Sequence, residues 1–169
     1  NCIGIKCSKE NNWKLDKDSL ENVLEANKDK QNMIIFNNPC NPTGQIYSKE
    51  EVQELVKIFS KYDVIVMYDK IYDQIVYDGE DFGNIEDYYD NIVSGSSLSK
   101  GYACGGYRLG WLEFRDKTMQ LYDAVKCIGS SIYSCPSTML QYMFADVLRH
   151  KPKDVLDQIG RAHVWTPVT

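Results

Sequence analysis

Two apolar runs separated by an amphipathic stretch constrain this chain more than any other feature. Met33-Ile34-Ile35-Phe36 and Val64-Ile65-Val66-Met67-Tyr68 are continuous, apolar and of strand length. Runs of this kind, without polar alternation, mark parallel strands buried on both faces. Between them, Ser48 and Glu51 have the spacing of a capping box. Val52, Leu55, Val56, Phe59 and Tyr62 then fall on one face of a helix. Strand, crossover helix and strand make a β-α-β unit, which requires a parallel sheet.

The pattern continues on both sides. Residues 2–7 alternate like a short strand, and residues 16–27 place Leu20, Val23 and Leu24 on one helical face. Residues 91–94 read as a third strand, ending just before a loop at Ser97. Residues 107–114 alternate like a fourth. Helical patterns follow at 117–128 and 137–150, the second with a stripe of Leu140, Met143, Phe144, Val147 and Leu148. The fold class is therefore α/β, a mostly parallel sheet with flanking helices.

The 169 residues have room for one domain with its own core. A formal net charge of -5 argues against a nucleic-acid partner. No segment approaches the roughly 18 apolar residues of a membrane span. Lys6 and Lys9 interrupt any apolar leader, although Asn1 rather than Met opens the chain. The six cysteines form no C-x-x-C and cluster with no histidine, so no metal site is expected. Scattered thiols of this kind suit a reducing compartment and a cytoplasmic protein.

In open α/β sheets, ligands bind beyond the carboxyl ends of the strands. Asn38-Pro39-Cys40-Asn41-Pro42-Thr43-Gly44, Asp69-Lys70-Ile71-Tyr72 and Ser97-Leu98-Ser99-Lys100 all stand at such ends. Gly105-Gly106-Tyr107-Arg108 comes next. Together they offer an amine, a carboxylate, an anion clamp and two hydrogen-bonding groups. That set can hold pyridoxal 5'-phosphate (PLP) and run amino-group chemistry on it.

Lys100 is the amine for a Schiff base with the cofactor aldehyde, and an apolar, electropositive pocket would make it a better nucleophile. Asp69 suits the ring nitrogen, whose proton a neighbouring carboxylate retains. Tyr72 and Asn41 suit the ring's charged 3'-oxygen, with one helical turn bringing Tyr72 to the face of Asp69. Arg108 can bind phosphate with a bidentate fork, and Ser97 can add a hydroxyl. Each residue also has an ordinary reading. These are a solvated lysine, an N-cap aspartate, a packing tyrosine and a turn asparagine, with a plain glycine turn before Arg108. The order and spacing of the whole set favour the cofactor.

These residues closely resemble the class I/II aminotransferases, the aspartate-aminotransferase-like group of fold type I PLP enzymes. The resemblance runs from Asn1 to about His150. It implies transamination between an amino acid and a 2-oxo acid, within amino-acid metabolism. Lys100, Asp69 and Tyr72 would be catalytic, and Asn41, Ser97 and Arg108 would bind cofactor. It also implies a homodimer, and a large domain whose mostly parallel sheet has one antiparallel strand, matched here by 107–114. The same cofactor residues would serve carbon–sulfur elimination, ring closure as in aminocyclopropane-carboxylate synthases, or a non-catalytic sensor domain. Lys70 stands where an acidic residue is common and Gly101 where a small polar one is; neither is a group the chemistry needs.

The resemblance assigns residues 1–150 to part of a PLP-binding large domain and 151–158 to a connection toward a small domain. A second phosphate loop, a ring-stacking aromatic and a carboxylate-binding arginine are expected in neighbouring regions that this chain does not contain. The chain by itself is expected to be inactive. Residues 159–169 read as a translated short-read sequencing adapter, with Trp165 at an in-frame TGA. His163 and Trp165 are therefore set aside.

Overall fold

The computed structural model describes residues 2–77 and 79–150; the segments 151–158 and 159–169 lie outside them. The elements in order are α1 (Lys17–Glu25), β1 (Met33–Asn37), α2 (Lys49–Lys61), β2 (Ile65–Asp69), β3 (Ile92–Ser97), β4 (Gly110–Phe114), α3 (Met119–Tyr133) and α4 (Thr138–His150). Short 3-10 turns precede β3 at Ile85–Asp87 and β4 at Gly105–Tyr107.

Local chemistry sets the first two helices. The Asp16 carboxylate accepts from Ser19 N at 2.7 Å and opens α1. At α2, Ser48 Oγ accepts from Glu51 N, and the Glu51 carboxylate accepts from Ser48 N at 2.8 Å. Both partners of the capping box are satisfied. Leu20 and Leu24 of α1 and Val52, Leu55 and Phe59 of α2 are buried in one cluster with Phe36, Val66, Tyr68 and Ile92. The helices thus cover one face of the sheet.

The strand order is β1-β2-β3-β4, parallel across the first three and antiparallel between β3 and β4. This is the mixed sheet expected, with the antiparallel strand where the family resemblance implies it. In register, Asn37 lies beside Asp69 and Asp69 beside Gly95. Three strand ends therefore meet at one edge.

Several expectations need correction. β1 is not buried on both faces, since Met33 is 65% and Ile35 73% exposed. An apolar run shows that both faces are greasy, not what covers each. Residues 2–7 form no strand; a single antiparallel bridge joins Cys7 to Leu15. β3 continues to Ser97 because β4 extends its pairing, with Ser96 opposite Trp111 and Ser97 opposite Gly110. β4 starts only at Gly110, because residues 105–107 turn and Arg108 is left-handed at φ 56.

α3 begins later than expected and buries no residue. In α4 only Phe144 of the predicted stripe is fully buried. Phe144 packs with Leu98 and Tyr102, and Cys104, Leu109, Trp111 and Val147 surround them. Leu98 and Tyr102 flank Lys100, so α4 props the loop that carries it.

Candidate active site

The first loop is built on Asn38, whose side chain is fully buried. Its Nδ2 donates to Gly83 O at 3.0 Å, and its Oδ1 accepts from Tyr47 N at 3.1 Å. The Tyr68 hydroxyl donates to Asn38 O at 3.0 Å. A Cβ on Gly83 would lie 2.5 Å from Ser48 O, so this crossing requires glycine. The loop closes on itself through Gly44 N to Cys40 O at 2.8 Å, with Gly44 at φ 70.

Asn37 links this loop to the next strand. Its Nδ2 donates to Asp69 O at 3.0 Å, and its Oδ1 accepts from Asn41 N at 2.6 Å. Asn41 is thereby held beside Tyr72, and Asn41 Nδ2 donates to the Tyr72 hydroxyl at 3.3 Å. Tyr72 sits in a succession of turns rather than the helical turn expected, with Asp73 N bonded to Lys70 O and Ile75 N to Tyr72 O. The Lys100 ammonium lies 5.8 Å from the Tyr72 ring centroid, within cation–π range. Of the six predicted residues, Tyr72 thus has two others, Asn41 and Lys100, within reach.

Asp69 is exposed at the end of β2, and its Oδ1 accepts from Ile71 N at 3.2 Å. That bond closes a local turn and caps no helix, and it orients the carboxylate at the sheet edge. Ser97 Oγ accepts from Ser99 N at 3.0 Å and shapes the turn into Lys100. Arg108 is exposed, and its Nη1 donates to Gly105 O at 2.7 Å. Ser97 and Arg108 share the β3–β4 end of the sheet, because Ser97 pairs with Gly110.

A cleft of about 710 Å³ takes in Asn41 and Tyr72, with Pro39, Cys40, Gln45 and Ile75 in its wall. Asp69, Ser97, Lys100 and Arg108 are not in that wall. No hydrogen bond or ion pair joins Asp69, Lys100 and Arg108 among the described residues. Lys100 is exposed, so the apolar pocket expected around it is not formed by the described residues.

The sequence reading missed Asn37, Asn38 and Lys70. The Lys70 side chain is only 12% exposed and its Nζ reaches Glu86 at 2.9 Å and Glu113 at 3.1 Å. Ser94 Oγ donates to Glu86 at 2.6 Å. Burial pulls the Lys70 pKa down, but its bonds to Glu86 and Glu113 outweigh this and raise it. Burial pushes Glu86 up, but Ser94 and Lys70 outweigh it and hold Glu86 below its ordinary value. Asp73 is pushed up to about 6 by burial, against the pull of Lys70.

An amine, a carboxylate, a phenol with its amide partner, a hydroxyl and a guanidinium at one carboxyl edge suit a phosphorylated aldehyde cofactor with a basic ring nitrogen. The fold is an α/β domain that carries this donor set at its strand ends. The sequence profile described as "Aminotransferase class I and II" matches residues 1–161, and the chain belongs to that family. Pyridoxal 5'-phosphate is the cofactor of the family.

Individual relatives agree. The "Probable aspartate aminotransferase" of Methanocaldococcus jannaschii is 34% identical over 143 residues, covering 83% of this chain and 38% of that protein. An aromatic aminotransferase from Pyrococcus horikoshii superimposes with a TM-score of 0.80 at 25% identity, over 92% of this chain and 41% of that one. A PLP-bound C-S lyase from Staphylococcus hominis gives 0.57 at 25% identity, over 70% and 29%. The chain therefore spans about two fifths of the length of the first two relatives.

Proposed function

We propose that this chain is part of the cofactor-binding large domain of a PLP-dependent aminotransferase. Residues 1–150 form that part, and 151–158 lead toward a small domain. The proteins it resembles by name and their greater length support this reading. The observation that carries it is the grouping of Asn41, Tyr72 and Lys100 at the strand ends beside Asp69.

When bound, PLP supplies an electron sink for charge developing at a substrate α-carbon. Lys100 supplies the amine that holds the cofactor aldehyde. The same amine could carry a proton to and from a substrate α-carbon held beside it. Asp69 would keep a proton on the ring nitrogen. Asn41 Nδ2 donates to the Tyr72 oxygen, which leaves the phenol proton free for the ring's 3'-oxygen. Arg108 and Ser97 bind the phosphate. The substrates are an amino acid and a 2-oxo acid.

In this reading the intact protein is a homodimer. Six unpaired thiols suit the cytoplasm. Residues 159–169 are a sequencing-adapter artefact, and resequencing the gene should remove His163 and Trp165. The decisive experiment adds amino acids to the PLP-loaded intact protein. Transamination converts the cofactor's absorbance and releases a 2-oxo acid; no change with any amino acid would reject it. The likeness to a C-S lyase keeps elimination as a second reading. Ammonia and pyruvate as products would favour that one.

A further inference from the structure

Lys70 follows Asp69 directly, so its side chain leaves β2 on the opposite face of the sheet. On that face it is enclosed. Glu86 comes from the 3-10 turn before β3, Ser94 from β3 and Glu113 from β4. The ammonium thereby ties the end of β2 to the 3-10 turn and to β4, and Glu86 carries the link on to Ser94 of β3. The peptide between Asp69 and Lys70 is gripped as well. Its carbonyl accepts from Asn37 Nδ2 at 3.0 Å, and its N–H donates to Gly95 O at 3.0 Å.

We infer that Lys70 is a positioning residue for Asp69: its ion cluster with Glu86 and Glu113 fixes the Asp69–Lys70 peptide, and with it the direction of the Asp69 carboxylate. This rests on the reading of Asp69 as the partner of the cofactor ring nitrogen. Lys70 itself touches no cofactor atom in this account. The geometry carries the inference. Glu86 is 7% exposed and could not remain charged there without Lys70 and Ser94. The other charged groups near the cluster are Asp73, whose titration Lys70 lowers, and Arg115, 3.9 Å from Glu86. A neutral side chain at position 70 leaves Glu86, buried beneath the strand end, with only Ser94 and the more distant Arg115 to offset its burial, which favours a shift of the strand end that admits water to it.

The test compares Lys70→Met, Lys70→Arg and Leu20→Ala in the intact, PLP-loaded protein. Leu20 is buried in the remote core and controls for lost stability alone. Two quantities are read: retention of PLP on dilution, and the pH midpoint of the bound cofactor's absorbance. Lys70→Met should weaken retention about tenfold, as loss of an outer supporting contact does. It should also move the midpoint, because a displaced carboxylate holds the ring proton less well. Lys70→Arg should restore both, and Leu20→Ala should move neither. A Lys70→Met protein with wild-type retention and midpoint overturns the inference. If that variant does not fold, Glu113→Gln decides. It removes one bond of the cluster and should move the midpoint in the same direction, and an unmoved midpoint overturns the inference. A wild-type protein that takes up no PLP would instead sink the reading of Asp69 on which this rests.

Discussion

The two loops that carry the candidate site are fastened to the sheet by different physics. The first, from Asn38 to Gln45, hangs on a buried amide whose donor and acceptor are both used. The second, from Ser97 to Arg108, rests on the three-residue apolar cluster of Leu98, Tyr102 and Phe144. It also contains two left-handed residues that are not glycine, Ala103 at φ 54 and Arg108 at φ 56. Hydrogen bonds fix direction, whereas a small apolar contact fixes only proximity. The half of the site that holds Asn41 and Tyr72 is thus set by geometry. The half that holds Lys100 depends on how firmly α4 docks.

Four substitutions probe this contrast. Asn38→Ala should have the largest effect, about 4 kcal/mol of stability, because it orphans Gly83 O and Tyr47 N at about 1–3 kcal/mol each. Chemical denaturation measures it. Phe144→Ala should lose about 3 kcal/mol, the low end for a buried phenylalanine, because its cluster is small. The contrast predicts where the damage appears. Amide exchange should rise across residues 98–104 and stay unchanged across 38–45.

The third probe is pH. Asp73 titrates at about 6 in the folded chain against an ordinary 3.8. A raised carboxylate binds its proton more tightly in the folded state. Stability from this group is therefore complete below 3.8 and is lost as pH rises through about 6. Asp73→Asn should flatten that fall in melting temperature. Glu86 acts in the opposite sense, since its pKa is held down, and its stability is lost as pH falls below the ordinary carboxylate range. The smallest effect on stability is expected from Arg108→Gly. Relieving a left-handed arginine should raise stability by about 1 kcal/mol while PLP retention collapses.

Much of the frame was legible because its signals are local. The Ser48–Glu51 box, the apolar runs of β1 and β2 and the alternation of β4 are each contained within a few residues, whereas the antiparallel direction of β4 came from the family resemblance. Coverage of the strands was not legible, because Ile35 carries no mark of whether a helix lies over it. Nothing in spacing separates Asn38 from Asn41, each of which precedes a proline; only burial does. Lys70 read as an unimportant departure because Glu86 and Glu113 lie 16 and 43 residues away. Non-local charge partners leave no trace in a single sequence.

The central claim is that Lys100 is the amine that holds the cofactor. Borohydride reduction of the PLP-loaded intact protein, followed by peptide mapping, tests it most directly. The account predicts a pyridoxyl group on Lys100. A label on Lys70 or any other lysine, or none, would contradict it.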